Sequence, residues 1–449
     1  MQSWRSHFRQ TFTLALPVCL SNVGHITVDL ADNFFVGTLP EKTIGQAAIS
    51  LAMALFMLIF VLAIGISYSI TPIAAEANAQ GKQERLVIYL RHAFVQNLVA
   101  SVLLFALLSV LAPLLHYAGK STEVTELAIR FLNVMMLSLI PLSLFFTCKQ
   151  FAEGMSDTRT AMFITIGANV LNIVLNGMLV SGRFGLPRLG VMGACWSTFI
   201  ARCCMAVAIL CYFLFSKRYR PYRSAFRIRQ ISWAPIREQL RIGIPSGLMF
   251  SLEVGAFAVP TIFIPGTDQL AAHRVSLSLA AMTYMISSGL GAAATIRVGH
   301  YLGLKDRSDV RRAGFSAVLL SVTFMLCAAI IFIAFYRQLP ALFNDDASVL
   351  HYAGPLLLIA AAFQLFDGAQ VTAQGALRGL KDTVRPGVIA FVAYWIVGLP
   401  ASWYFCTQLH SGVYGVWYGF ILGLSVAAGG FLWRYHKLTK QSTNLSIFN

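Results

Sequence analysis

Residues 361–383 read AAFQLFDGAQVTAQGALRGLKDT. An apolar helical pattern carries one acid, Asp367, near its middle and closes on the charged turn Arg378-Gly-Leu-Lys381-Asp382. In a bilayer such an acid costs at least ~2.5–3.5 kcal/mol, so it normally faces a partner, a water-filled space or an ion pathway. The closing turn also has a counterpart. Gly379-Leu-Lys-Asp382-Thr383 answers Gly154-Met-Ser-Asp157-Thr158, with the two aspartates 225 residues apart. Leu14-Ala-Leu-Pro17 returns as Ile242-Gly-Ile-Pro245, Gln46-Ala-Ala as Leu270-Ala-Ala, and Gly81-Lys-Gln-Glu as Gly303-Leu-Lys-Asp. Each match is weak alone, but four at nearly one offset describe a chain built from two equivalent halves.

Composition fixes the solvent. Of the 449 residues, 57% are hydrophobic and 12% charged, with mean hydropathy +0.70. Soluble domains carry roughly 25% charged residues, so this chain has too much apolar surface to hide in water. Its apolar runs recur along the whole length and mostly exceed the ~20 residues that cross a bilayer. Twelve spans are expected, near 11–38, 46–79, 88–115, 124–151, 158–181, 190–216, 237–264, 269–301, 309–336, 347–377, 384–407 and 412–435. The fold class is an all-α polytopic membrane protein of two pseudo-symmetric six-helix bundles. Its domains are an amino-terminal lobe at 1–216, a basic linker at 217–236 and a carboxy-terminal lobe at 237–449. Six spans per half return the chain to its starting side, so the repeats share one topology and their axis runs along the membrane normal.

The net charge of +16 could suggest nucleic acid, but its placement does not. One set of alternate loops holds Arg5, Arg9, Lys82, Arg85, Arg91, Arg159, the run Lys217 to Arg229, Lys305, Arg307, Arg311, Arg312, Lys381, Arg385, Arg434, Lys437 and Lys440. The other holds little beyond Lys42, Lys120, Arg183, Arg188 and Arg337. By the positive-inside rule, both termini and the linker are cytoplasmic. The eight cysteines sit in or beside apolar segments without metal-ligand spacing and read as buried small hydrophobes. No P-loop GxxxxGK[ST] and no channel filter occurs. A membrane-embedded enzyme would need clustered His, Asp and Glu, and none is found.

Intramembrane acids are few: Asp29 and Asp32 in the first span, Glu253 in the seventh, Asp367 in the tenth. His25 precedes Asp29 by four and Asp32 follows it by three, so these three share one helix face. The simplest reading keeps each acid neutral and hydrogen-bonded to a neighbouring carbonyl. At least one in each half of a two-lobed carrier favours another. A carboxyl group taken out of water prefers its neutral form, whereas a cation beside it prefers the charged one. A site of this kind can trade a proton or Na⁺ for a cationic cargo. In the fifth span, Asn172 and Asn176 are four apart, and their amide oxygens suit a hard cation beside a carboxylate. Those asparagines and Thr198 equally suit hydrogen bonding between packed helices. Phe363, Phe391, Tyr394 and Trp395, with Met282, Tyr284 and Met285, could line an adaptable space for flat cations.

At this point the chain resembles the multidrug and toxic compound extrusion (MATE) family, near its NorM branch. The resemblance rests on Leu14-Ala-Leu-Pro17, Val28-Asp-Leu-Ala-Asp32-Asn-Phe-Phe-Val-Gly37, Gln80-Gly81, Glu153-Gly-Met-Ser156, Asn172-Ile-Val-Leu-Asn176, Phe250-Ser-Leu-Glu253, Ala271-Ala-His273, Ile296-Arg-Val-Gly299 and Gln374-Gly-Ala-Leu-Arg-Gly-Leu-Lys381-Asp. These run in order from the first span to the eleventh. The resemblance implies two bundles in a V around a cavity, and efflux of organic cations in exchange for Na⁺ or H⁺. It implies no cofactor and no metal beyond Na⁺. It matches Asp32 to the amino-lobe acid, with Asn172, Asn176 and Thr198 as cation-binding neighbours. It matches Glu253 and Asp367 to the carboxy-lobe pair, with Tyr284 a third member. The expected setting is the inner (plasma) membrane, with the bilayer and organic cations as partners, as a monomer. The alternatives are a lipid-linked saccharide flippase of the related superfamily, or an exporter of one narrow endogenous metabolite. A flippase would be expected to show a cationic cavity with several intramembrane Arg residues.

His25 and Asp29 depart from the family pattern and are read as extra proton-binding capacity in the amino-terminal lobe. Asp29→Asn is then expected to flatten the pH dependence of transport in proteoliposomes. An unchanged pH profile overturns that role.

Overall fold

The repeat is written into the backbone. In the computed structural model, Ser156 and Lys381 both take left-handed φ, at 61° and 60°, in the matching Gly-Met-Ser and Gly-Leu-Lys turns. In the other matched turn Gly81 and Lys305 do the same at 68° and 58°, which shifts the equivalence by two residues from the sequence match of Gly81 with Gly303. Two non-glycine residues held at positive φ in equivalent positions are a strong sign of one shared local design. Packing agrees. Thr71 donates to the backbone carbonyl of Gln150 at 3.2 Å, and Thr295 to that of Gly375 at 2.8 Å. Gly154 lies against the Thr71 carbonyl, and Gly379 against that of Thr295. Asp157 then accepts from Tyr219 at 2.9 Å, while its counterpart Asp382 accepts from Arg434 at 2.8 Å.

The structure describes residues 3–40, 42–117, 119–182, 187–227 and 231–440; Arg183, Arg229 and the side chains of Asp29 and Lys42 lie outside the described residues. Among those described, no strand occurs and twelve helical segments are long and apolar enough to cross a membrane. They are Trp4–Val28, Thr43–Ala79, Gln83–Tyr117, Thr122–Gly154, Thr158–Leu179, Val191–Phe215, Trp233–Ile262, Thr267–Gly303, Arg307–Ala334, Ala347–Gly379, Val384–Gln408 and Val413–Lys440. Each corresponds to a span expected from the sequence. Several are not simple helices. The second is broken between Ser67 and Ile70, and the fourth at Ser138. The eleventh contains π-helical turns at Val392–Gly398 and Tyr404–Gln408, a wider winding that recurs at functional positions.

Two compact units form, Met1–Asn22 with Leu248–Asn449, and Val23–Gly247. Both boundaries fall inside helices, Trp4–Gly37 and Trp233–Ala258. Each repeat's first helix therefore begins in the other repeat's unit. In the first unit, Arg297 donates to the His7 carbonyl at 2.8 Å and to Thr11 Oγ1 at 2.5 Å. Cys19 Sγ and Asn22 Nδ2 reach the carbonyls of Ile286 and Met285. In the second, Gln239 donates to the Tyr89 carbonyl at 2.8 Å, Tyr89 donates to Glu238, and Gly247 lies on Leu62. Arg297 is thus paired inside the protein through both terminal nitrogens of its guanidinium.

The core of the first unit centres on Met249, Leu279, Leu357, Phe363, Trp417 and Phe431. The second has two clusters, one around Phe56, Phe131 and Cys195, the other around Phe145, Phe151 and Phe213. Small residues let helices approach closely in lipid, and the matched glycines are such points. Gly154→Ala and Gly379→Ala would each push a methyl into a facing threonine carbonyl. Each is expected to lower unfolding free energy by ~1–3 kcal/mol, read as reduced thermal stability in detergent. Neutral behaviour at both would refute this packing.

Candidate ion-binding centres

Asp32 sits on the first helix with a ready set of donors. Asn176 Nδ2 reaches Oδ1 at 2.5 Å and Thr198 Oγ1 reaches Oδ2 at 3.0 Å. Asn172 Nδ2 donates to Thr198 Oγ1 at 3.1 Å, and Asn176 Nδ2 also to Asn172 Oδ1 at 3.1 Å. The four residues singled out in three spans therefore form one connected network. The i, i+4 spacing of the asparagines puts both on one face, and all three neighbours are buried. Asn176 Oδ1 has no hydrogen-bond partner among the described residues, leaving an amide oxygen available to a cation beside the acid.

The same unit holds basic groups that a search for acids overlooked. Lys149, 4% exposed, has Glu153 at 3.9 Å and the Phe146 ring at 5.5 Å. Arg202 donates to Ser138 Oγ at 2.6 Å and lies over the rings of Phe56 and Phe60. Both lie within electrostatic reach of His25. The sequence signal was present, a lysine and an arginine inside apolar spans. His25 thus belongs to a basic neighbourhood, and intramembrane cations of the kind expected of a flippase are present in this chain as well as the acids. Asp29's side chain lies outside the described residues.

In the other unit, Glu253 and Asp367 are 4% and 2% exposed and act on each other electrostatically. Tyr394 is buried within reach of both acids and of Tyr284. Among the described residues, neither Glu253 oxygen, nor Asp367 Oδ2, nor the Tyr394 hydroxyl has a hydrogen-bond partner. Leaving such groups unpaired in a low-dielectric interior is costly. This centre differs from the Asp32 centre in holding acid oxygens without donors among the described residues, both of Glu253 and Oδ2 of Asp367.

The tenth helix extends the centre beyond what the sequence reading named. Gln364, Asp367, Gln370 and Gln374 are all buried and spaced three or four apart, which makes one polar face. Gln364 Oε1 accepts from Thr283 Oγ1 at 2.8 Å. The eleventh span supports the seventh. Trp395 Nε1 donates to the Leu252 carbonyl at 3.1 Å, and its ring meets Gly255. Trp395 therefore holds the turn that carries Glu253. Phe391 remains exposed.

Phe363 is a correction. Expected to line a substrate space, it is 3% exposed and packs against Phe257, Trp417 and Phe420 in the core. An aromatic on an apolar helix says nothing about which face turns inward. Trp417 is fixed by donating Nε1 to His273 Nδ1 at 3.2 Å, so this cluster is closed by a polar contact.

A family model, MatE, matches residues 17–178 and again 245–404, one copy on each repeat. The chain belongs to the MATE family. A probable multidrug resistance protein NorM of Rhizobium meliloti is 33% identical over 446 residues, covering 98% of this chain and 95% of that protein. The multidrug resistance protein NorM of Photobacterium profundum is 30% identical, covering 100% and 99%. The fold matches a crystal structure of the eukaryotic MATE transporter AtDTX14 at TM-score 0.87 and 20% identity, covering 97% of this chain and 98% of that one. It also matches a MOP superfamily transporter from Pyrococcus furiosus at TM-score 0.88 and 22% identity, covering 97% of each. As a NorM-branch MATE protein the chain is a multi-pass membrane transporter, not an enzyme.

Phe363→Ala is expected to cost ~3–5 kcal/mol of stability, as loss of a core aromatic does, measured by unfolding in detergent. A shift in substrate preference at unchanged stability would return Phe363 to the substrate path.

Proposed function

We propose that this MATE protein is a secondary active antiporter that exports organic cations, drugs among them, in exchange for Na⁺ or H⁺. The reading rests on one observation above all, the buried pair Glu253 and Asp367, of which both Glu253 oxygens and Asp367 Oδ2 lack a hydrogen-bond donor among the described residues. A site of two such acids can accept protons, a metal cation or an organic cation, and these compete. The names of the NorM relatives support drug efflux. Tyr284 and Tyr394 complete the carboxy-terminal centre. Asp32, Asn172, Asn176 and Thr198 form a second cation-binding centre, with His25 and Asp29 as proton-linked neighbours.

Coupling follows from differential affinity. A ligand shifts a conformational equilibrium only by the difference in its binding to the two states. An ion entering from outside loads the acids and favours the state that has released its cargo. One charge moving down 100 mV contributes ~2.3 kcal/mol, so no cofactor is required. By the positive-inside rule, the distribution of basic loops supports a reading in which both termini and the 217–236 linker are cytoplasmic and the protein lies in the inner membrane. The two sequence repeats, residues 1–216 and 237–449, act together as a monomer, each contributing its first helix to both compact units. Lys149, Arg202 and His25 favour a second reading, in which the cargo carries an anionic group, as a lipid-linked saccharide or an endogenous metabolite does.

Ethidium efflux from proteoliposomes under imposed Na⁺ or pH gradients, wild type beside Asp367→Asn, tests the assignment. One gradient is expected to drive efflux, and the variant to lose at least ~90% of it, the effect of removing ~1.4 kcal/mol or more of coupling. Folded wild-type protein that shows no gradient-driven efflux would move the assignment to an anionic or narrow cargo.

A further inference from the structure

Away from both acidic centres, the ninth helix borders a cavity of about 830 Å³ lined by Trp4, Arg307, Ser308, Arg311, Arg312, Phe315, Val318, Leu319, Val322, His436 and Thr439. We propose that this groove is a binding site for an anionic phospholipid of the leaflet on the protein's basic side.

Its polarity is graded along one helix face. Arg307, Ser308, Arg311 and Arg312 occupy the first turns of Arg307–Ala334, and Phe315, Val318, Leu319 and Val322 continue the same face at steps of three and four. From 307 to 322 the helix rises about 22 Å at 1.5 Å per residue. The charged end and the apolar end are thus separated by the length that separates a headgroup from the end of an acyl chain. A soluble anion would need only the first. Trp4 stands at the rim, half-exposed, the position that indoles favour at a membrane–water interface.

The sign of the charge is equally specific. The lining holds three arginines and a histidine and no acid. The nearby acid, Asp309, is buried and turned to His7 at 3.5 Å and Arg312 at 4.0 Å. Arg311 is held over the Phe315 ring at 5.8 Å, with Nη2 3.4 Å from His436 Nδ1. That stacking presents a planar donor fork at the mouth, the geometry that suits a phosphate. Organic cations are repelled here, so the groove is no second drug site. Basic pockets between membrane helices on the cytoplasmic side bind anionic headgroups for the same reason. The inference needs only the membrane fold and holds whichever ion drives transport.

The test is native mass spectrometry of the full chain in detergent with an equimolar mixture of phosphatidylglycerol and phosphatidylcholine of identical acyl chains. Phosphatidylglycerol is expected to be retained preferentially, and millimolar inorganic phosphate is expected not to displace it. Arg307→Gln with Arg311→Gln, which spares the Arg312–Asp309 pair, should cut the preference about fivefold per arginine removed. Leu319→Trp, at a half-exposed position, should block retention while leaving every arginine in place, with an unchanged melting temperature in detergent showing that the variant folds. Equal retention of both lipids, or a preference untouched by these variants, overturns the site. Displacement by inorganic phosphate would assign it to a soluble anion instead. Retention that appears only in a chain ending at Lys440 would assign the groove to residues 441–449.

Discussion

Hydrocarbon offers no hydrogen bonds, and an unpaired polar group within it costs several kcal/mol. That constraint orders the molecule from backbone to site. It makes every span helical and requires each helix break to be repaired locally. At Ser138, where the fourth span is interrupted, the serine Oγ turns back to the Met135 carbonyl at 2.6 Å and takes the Arg202 guanidinium at the same distance. At the matched threonines, Thr71 and Thr295, hydroxyls reach carbonyls of the facing helix. Charged groups follow the same rule. Arg297 is surrounded by the His7 carbonyl, Thr11, Ser316 and Gln10. Against that pairing, both Glu253 oxygens and Asp367 Oδ2 are buried acid oxygens without a donor among the described residues, next to an unpartnered Tyr394 hydroxyl.

The two acidic centres are therefore not copies of one site. Asp32 is surrounded by amide and hydroxyl donors, and a cation arriving there must share the carboxylate with them or turn an amide to present its oxygen. Asn176 Oδ1 is placed for such a turn. Glu253 and Asp367 present acceptors without donors at both Glu253 oxygens and at Asp367 Oδ2, within electrostatic reach of Tyr394, which Tyr284 also reaches. The sequence anticipates this divergence, because Asp32 follows Pro17 by fifteen residues and Glu253 follows Pro245 by eight. Equivalent helices carry their acids about two turns apart.

What could be read from the chain depended on rarity. Four acids among apolar runs are conspicuous, and repeat offsets of 222 to 228 survive because they mark turns with fixed backbone demands, as at Ser156 and Lys381. Twelve spans follow from hydropathy alone. The π-helical turns of the eleventh span were not legible, since an i→i+5 bond leaves no side-chain signature in Val392–Gly398. Phe363 was misplaced because hydrophobicity does not say which side of a buried helix holds the core. Gln364, Gln370 and Gln374 were legible in principle, as a polar row at helical spacing, but neutral side chains draw less notice than charges. Lys149 and Arg202 were hidden by the expectation of acids.

The division of the two first helices links these features mechanically. Trp4–Gly37 is packed through His7, Thr11 and Cys19 in one unit and carries Asp32 in the other. Trp233–Ala258 is packed through Gln239 and Gly247 with the second unit and carries Glu253 in the first. Pro17 lies five residues before the first boundary and Pro245 two before the second, and each removes one backbone hydrogen bond from the turn before it. Bending there is cheaper than elsewhere in the same helices. Each acid lies beyond such a joint, ten residues past the first boundary and six past the second.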